Sequence, residues 1–366
     1  MVPDSATAAP AIAAAPGHPG PLRPVHPGAR PPALSVVIKT LNEAEKIEAC
    51  IRSVLAATDA ATTEIIVADS LSDDDTVAIA SRFPVEVVQL ARVEDRGCGS
   101  GAQLGFQYAR GDRLLLLDGD MELAPDFLAA AHRALDSDPK LVGVGGLVVD
   151  RVLTLEFQRR NQNIPGNSRP GIKQHLNGGG LFRMEPLRQS GYLMDRNLHA
   201  CEELELGMRM TALGGHFQRL DLPSVYHYGH STPPYRLLLA RWRSKYVFGQ
   251  GELLRAKIGT PQLGHSIKAA DLYFAVTFWW AVLLAVLVGF AATGGSTAWG
   301  IAFLAILTAP FALQWQRKRS FAMGIYSMAL LNFHAAGMLA GLLRPRIDPT
   351  QWIDSMVRHS AERSEK

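Results

Sequence analysis

Cysteine is scarce: Cys50, Cys98 and Cys201 are the only three in 366 residues, widely spaced and odd in number. They supply neither a disulfide framework nor the paired spacing of a zinc site, so buried thiols in a reducing compartment are the expectation. Net charge is small too. A formal net charge of +3 is too small to draw nucleic acid as a partner. The chain does not open with a charged start and an apolar stretch, as a signal peptide would. Residues 1–33 are dominated by Ala, Pro and Gly and lack the apolar surface that offsets ordering entropy, so disorder is expected there. The domain after this segment should therefore stay on the side of the membrane where it is made. No G-x-G-x-x-G succeeds the first apolar run, which argues against a dinucleotide-binding dehydrogenase.

The pattern changes abruptly at Leu34. Leu34–Ile38 is a short β-rich run, and Ile47, Ile51, Val54 and Leu55 come after it at helical offsets. Glu64–Ala68 reads as a second strand, Thr76–Phe83 as a helix and Val85–Val88 as a third strand. A helix over Gly101–Ala109 leads to a fourth strand at Arg113–Leu117. Nearly all-apolar strands alternating with helices predict an α/β fold with a mostly parallel, Rossmann-like sheet covered on both faces. In such sheets ligands bind beyond the carboxyl ends of the strands. The polar clusters Thr40–Glu43, Asp69–Asp75 and Asp118–Asp120 fall there. A strand at Val142–Val149, an irregular stretch through Pro170, a Gly-rich turn at Asn177–Gly180 and a helix from Cys201 to Leu213 come next.

Long apolar runs appear only near the end. Leu272–Ala292, Thr297–Trp315 and Phe321–Leu343 approach or exceed the ~20 residues needed to cross a bilayer. Trp279, Trp280, Trp299 and Trp315 include candidate interfacial anchors, and the positive-inside rule makes Arg317-Lys318-Arg319 cytoplasmic. The third run holds Asn332 and His334, and spanning would put Arg344 and Arg346 on the wrong side; lying in the interface is the alternative. The expected divisions are a soluble domain over 34–230, a basic amphipathic interface segment over 231–268, transmembrane or interfacial helices over 269–345 and a tail over 346–366.

Two carboxylates one residue apart at the end of a buried strand are costly unless a cation or tight hydrogen bonds compensate them. Leu114–Leu117 drives Asp118 and Asp120 to the sheet edge, and Gly119 allows close approach by a ligand. A divalent cation such as Mg²⁺ or Mn²⁺ takes one or two carboxylates plus phosphate oxygens. A solvated strand-end turn is the plainer reading. Arg96-Gly97-Cys98-Gly99-Ser100-Gly101 precedes a helix, whose start attracts phosphate, or is simply a flexible loop. Glu202 and Glu203 open a helix, where the dipole favours acids. His227 and His230 stand at i, i+3 after a strand-like run, a routine polar connector by default. Arg236, Arg241, Arg243 and Lys245, with Trp242, form a basic face suited to a membrane surface.

Ser35–Glu43, Ile65–Thr76, Ala109–Asp120 and Cys201–Arg209, in this order and spacing, resemble the family 2 glycosyltransferases with the GT-A fold. The resemblance covers roughly residues 34–230. It implies that Thr40, Asn42 and Glu43 line a nucleotide pocket and that Asp69 binds the base, with uracil expected. Arg96 and Gly97 would contact a nucleotide-sugar donor. Asp118, Gly119 and Asp120 would form the metal-site segment, with His227 near the metal. Glu203, or its neighbour Glu202, would be the general base. Lys39, Ser70 and Leu71 depart from the family's usual proline, acid and glycine. Arg241-Trp242 partly matches the Q-x-x-R-W motif of processive synthases, with Leu238 at the glutamine position.

The expected activity is inverting, metal-dependent transfer of one sugar to a membrane-associated, lipid-linked or saccharide acceptor in polysaccharide or cell-envelope synthesis. The setting is a multi-pass inner-membrane protein with a cytoplasmic catalytic domain. A polyprenyl phosphate acceptor would need no base and would make Glu203 structural. A processive synthase, or a catalytically silent nucleotide-sugar receptor, is the alternative.

Overall fold

The computed structural model describes residues 31–152, 168–230 and 232–360. The expected disordered start, apart from its last residues, and most of the irregular stretch before Pro170 lie outside them. In chain order, β1 (Leu34–Thr40), α1 (Ile47–Ala57), β2 (Thr63–Asp69), α2 (Thr76–Ala80), β3 (Glu86–Leu90), α3 (Cys98–Tyr108) and β4 (Arg113–Asp118) come first. Next are β5 (Met121–Leu123), α4 (Phe127–Ser137), β6 (Leu141–Asp150), β7 (Gly171–Lys173), β8 (Gly180–Arg183), α5 (Met184–Gln189), α6 (Glu202–Ala212) and β9 (His216–His227). Then α7 (Pro234–Arg243), α8 (Gly249–Lys257) and α9 (Leu263–Ala269) lead into α10 (Asp271–Ala292), α11 (Thr297–Lys318) and α12 (Phe321–Leu342). Finally β10 (Ser355–His359) returns to the sheet.

β1 sits inside the sheet because it is apolar on both faces. Val36 and Ile38 pack under α1 and α4, with Ile51, Leu115 and Phe127, while Val37 faces Ile66, Leu104 and Leu116 on the α3 side. Each such fully buried aliphatic side chain stabilises the fold by about 1.5–3 kcal/mol. β2 and β4 flank β1 in parallel, and β3 extends the series beyond β2.

The full order is β10-β3-β2-β1-β4-β8-β6-β9-β5, with β7 on β9. Beyond β4 the sheet is mixed rather than mostly parallel: β8 runs antiparallel to both β4 and β6. The cause is the Gly178–Gly180 turn, whose three residues all have positive φ. A side chain on Gly179 would overlap the Leu116 carbonyl, so only glycine lets β8 close against β4.

α3 begins at Cys98, three residues before the expected start. A side chain at Gly99 would overlap the Asp195 carbonyl and one at Gly105 would overlap Val37. Most of the glycine cluster is therefore the packed first turn of a helix and not a flexible loop. The segment over 231–268 also differs from expectation. Only α7 is a basic surface helix; α8 is largely buried, with Gly251 against the Met338 carbonyl of α12.

The expected tail over 346–366 is, as far as residue 360, part of the folded domain. Arg196 donates to the carbonyls of Gln351 and Trp352, and Gln107 bonds both polar backbone groups of Ile353. Ile353 is wholly buried in the α3-side core, and β10 pairs antiparallel with β3. Helices α10, α11 and α12, 22 residues each, are long and apolar enough to cross a membrane.

Truncating a buried Ile to Ala costs about 2–5 kcal/mol. Ile353→Ala should therefore lower the thermal unfolding midpoint of the detergent-solubilised chain by several degrees; an unchanged midpoint would mean that β10 and its lead-in do not brace the domain.

Candidate active site

β1 and β4 end side by side, with Lys39 opposite Asp118 in register. Their exits border a cleft of about 740 Å³ lined by Thr40, Glu43, Asp118, Gly119 and Asp120. That volume is in the range of small-molecule and cofactor sites. Gly119 has to be small, because a Cβ there would stand 2.8 Å from the Thr40 hydroxyl oxygen. Its N–H donates to the Lys39 carbonyl at 2.9 Å, which ties the two strand exits together. The Thr40 hydroxyl is buried without a hydrogen-bond partner among the described residues, on the wall of the cleft. Such a group is satisfied when a ligand supplies the partner.

The acids are compensated in two separate networks. Lys39 Nζ lies 3.1 Å from Asp118 Oδ1 and 3.8 Å from Glu202 Oε1. Burial opposes its charge, but Asp118 and then Glu202 hold the ammonium well above the usual lysine range. Asp120 Oδ2 lies 3.2 Å from His227 Nε2, and His227 Nδ1 lies 2.8 Å from Asp150 Oδ1. Burial would raise the Asp120 carboxyl, yet the His227 contact brings it below the usual carboxylate range. His227 is raised in turn: burial opposes its charge, and Asp120 followed by Asp150 outweigh it.

Glu43 also lines the cleft, and burial raises its carboxyl although Lys46, 3.0 Å away, works the other way.

α6 starts after Cys201, which takes a left-handed conformation at φ 67°. Glu203 Oε1 accepts the backbone N–H groups of Gly178 at 2.9 Å and Gly179 at 3.3 Å. Burial first, and the neighbouring Glu202 second, raise the Glu203 carboxyl to about 7; Lys39 opposes. Neither Glu202 nor Glu203 is on the cleft wall itself; Glu202 reaches it through Lys39.

Other expected residues lie where the sequence did not place them. Asp69 is wholly buried and off the cleft wall, its carboxylate accepting from the Ser72 N–H at 2.9 Å and from Gln89 Nε2 at 2.6 Å. It braces the loop after β2, and Ser70 is the residue of that loop that lines the cleft. Asn42, at φ 58°, joins the loops after β1 and β2: its N–H donates to Ser72 Oγ and its Oδ1 accepts from the Asp73 N–H. Arg96 and Gly97 do line the cleft, and the Arg96 guanidinium is anchored on the carbonyls of Ser70 and Leu71. Trp242 turns away, edge-on to Phe248 and Phe333, and Arg241 stacks over Tyr246 at 5.2 Å. From that segment Arg243, Lys245 and Tyr246 reach the cleft instead. Sequence reasoning missed Asp150 and His199 altogether. Asp150, an acid ending an apolar strand, gave a faint signal, whereas His199, in an irregular loop, gave none.

Among the described residues, no three His, Cys, Asp or Glu side chains converge into a metal site of their own. What stands at the cleft is two carboxylates with an imidazole beside one of them, an incomplete set of hard donors. Gly119→Ala should weaken nucleotide-sugar binding at least tenfold with unchanged circular dichroism; wild-type affinity would show that the Thr40–Gly119 contact does not shape the pocket.

Residues 35–190 match the family model described as glycosyl transferase family 2. The succinoglycan biosynthesis protein ExoO of Rhizobium meliloti is 27% identical over 188 residues, covering 48% of this chain and 53% of that protein. A dolichol-phosphate mannosyltransferase of Pyrococcus furiosus is 31% identical over 106 residues, covering 28% of this chain and 30% of that protein. The chain thus spans about half the length of the first relative and under a third of the second. Among solved structures, the mannosyltransferase PcManGT of Pyrobaculum calidifontis, in complex with GDP-Man and Mn²⁺, aligns with a TM-score of 0.55 at 22% identity. That alignment covers 86% of this chain and 88% of the other, and the shared fold is the GT-A type.

Proposed function

We propose that the chain, whose residues 35–190 match the family model for glycosyl transferase family 2 and whose fold is of the GT-A type, transfers one sugar, with inversion, from a nucleoside-diphosphate sugar to a lipid-linked acceptor at a membrane surface. The observation that carries this reading is the placement of Asp118 and Asp120 at the end of a buried parallel strand, on a cleft shared with Thr40 and Glu43. A polysaccharide-biosynthesis protein and a dolichol-phosphate mannosyltransferase among the relatives support a membrane-borne acceptor.

The residues fit a divalent cation. Asp118 and Asp120 would hold Mg²⁺ or Mn²⁺ together with the donor's phosphate oxygens, as is usual for these ions, and His227, held between Asp120 and Asp150, would position Asp120. When bound, such an ion supplies Lewis-acid stabilisation of charge on the departing diphosphate. The complex of PcManGT with GDP-Man and Mn²⁺ supports this assignment. Thr40 and Arg96 hold the nucleotide side of the donor. Glu203 takes the proton of the acceptor hydroxyl while that oxygen bonds to the anomeric carbon and the bond to the diphosphate breaks. A carboxyl raised to about 7 is suited to that task near neutral pH.

In this reading the membrane arrangement follows from the two ends of the helical segment. α10 leaves the domain, and the chain after α12 returns to it: Arg344 pairs with Glu252, Arg346 with Asp195 and β10 with β3. Both ends thus lie on one side of a bilayer, which requires an even number of crossings. α10 and α11 form the spanning hairpin. α12 lies along the domain instead, Tyr326 against Tyr235, Phe333 against Trp242, and Gly337 and Gly341 against the carbonyls of Val247 and Phe248. Arg317, Lys318 and Arg319 then stay on the domain's side.

Incubating the purified full chain with UDP- and GDP-sugars should release nucleoside diphosphate, and EDTA should stop the release until Mn²⁺ or Mg²⁺ is restored. Asp120→Ala should abolish transfer. Glu203→Gln should keep donor binding and lose transfer about 10²–10⁴-fold. Because the base form of Glu203 is the active one, wild-type rates should fall as pH drops below about 7. Wild-type transfer by the Asp120 variant would refute the site. In sealed vesicles, cysteine introduced at Gly294 should react from the side opposite to cysteines at Ser320 and Thr350; labelling of all three from one side would refute the hairpin.

A further inference from the structure

One side chain on the cleft wall is unused by the chemistry above. His199 is 6% exposed, and its ring is fixed from one side: Nδ1 lies 2.9 and 3.1 Å from the two oxygens of Glu252, whose Oε2 also accepts the His199 N–H at 2.9 Å. Arg344, just after α12, holds the same carboxylate at 3.0 Å. The other ring nitrogen, Nε2, is buried with no hydrogen-bond partner among the described residues, on a residue that lines the cleft. A carboxylate on Nδ1 fixes the tautomer and orientation of an imidazole and leaves Nε2 for a ligand.

The surroundings say what kind of ligand. Gly97, the N-cap of α3, packs beside the ring; a Cβ there would be 3.6 Å from His199 Cδ2. The positive end of a long helix therefore shares that corner. Arg243 and Lys245 line the same cleft and make no ion pair among the described residues. They belong to the stretch that leads from α7 toward the membrane helices. The acids Asp118 and Asp120 occupy the strand-end side, and Lys39 and His227 already compensate them.

We propose that His199, with Lys245 and Arg243, binds the phosphate group of the lipid-linked acceptor, and that Glu252 and Arg344 are positioning residues that aim the imidazole. This rests on the acceptor reading above and gives it an address. With its Nδ1–H on Glu252, the neutral ring accepts at Nε2 from the P–O–H of a singly protonated phosphate, or donates there as the imidazolium, and the lipid leaves the cleft along α7 and α12. No bond is made or broken at this site; it holds the acceptor while its hydroxyl faces the donor.

The test uses the full chain in detergent, with farnesyl diphosphate as the lipid probe and inorganic pyrophosphate as the free anion. EDTA is present so that no cation draws diphosphate to Asp118 and Asp120. Calorimetry should show farnesyl diphosphate binding that is weakened about tenfold or more by His199→Ala and by Lys245→Ala, as expected for loss of a hydrogen bond to a charged group. Glu252→Gln should weaken it less, and His199→Gln should restore part of it. Lys245→Ala guards against misfolding of the His199 variant, since Lys245 is on the surface of the cleft. Equal, His199-dependent binding of inorganic pyrophosphate would overturn the lipid assignment in favour of a free anion. Unchanged farnesyl diphosphate binding in both variants would overturn the site. His199-dependent binding in a chain that turns over no nucleotide sugar would sink the transferase reading and leave the anion site standing.

Discussion

The rest of the structure depends on how two carboxylates are held at the end of a strand that has no water on either face. Uncompensated, a charge in that position costs several kcal/mol. The chain compensates each acid with a cation from a different element. Lys39 on β1 answers Asp118 and reaches on to Glu202 at the start of α6. His227 at the end of β9 answers Asp120 and is itself held by Asp150 at the end of β6. The same contacts that make the acids tolerable therefore tie the parallel half of the sheet to the mixed half. Cleft geometry and fold are one electrostatic problem with one solution.

This arrangement also divides the cleft by charge. The strand ends present acids already matched by Lys39 and His227, a setting in which the proposed divalent ion and diphosphate would exchange for existing partners without leaving charge bare. The wall from α7 to α8 presents Arg243 and Lys245 beside His199. Under the proposed function, a donor and an acceptor that both carry phosphate would meet different surroundings, which would order them relative to each other before any bond changes.

Much of this was legible in the residues. Strands β1 to β4 are so apolar that their burial could be read directly, and the acids after Leu117 could only lie at the sheet rim. The helix at Glu202 was legible from its acidic first turn. Other features were not, for definable reasons. Asp69 has the residue type of a ligand contact, but only the fold shows Gln89, a strand away, occupying it. The glycine cluster around Gly99 reads equally as a flexible loop when the Asp195 carbonyl that demands a glycine there is distant in sequence. β8 has four residues and β10 five, too short for periodicity to register, and pairing partners of strands are tertiary facts. His199 acquires meaning only from Glu252, which lies in a segment whose burial the basic composition of its surroundings concealed.

The position of β10 has a consequence for biogenesis. An unpaired strand edge is a template for aggregation, and β3 presents such an edge until β10 is made, after all three apolar helices. At a synthesis rate of roughly 5–20 residues per second, that interval lasts on the order of tens of seconds. If α10 and α11 insert as proposed, delivery to the bilayer comes before closure of the sheet, and a chain that fails to insert keeps a sticky margin that chaperones and proteases can recognise.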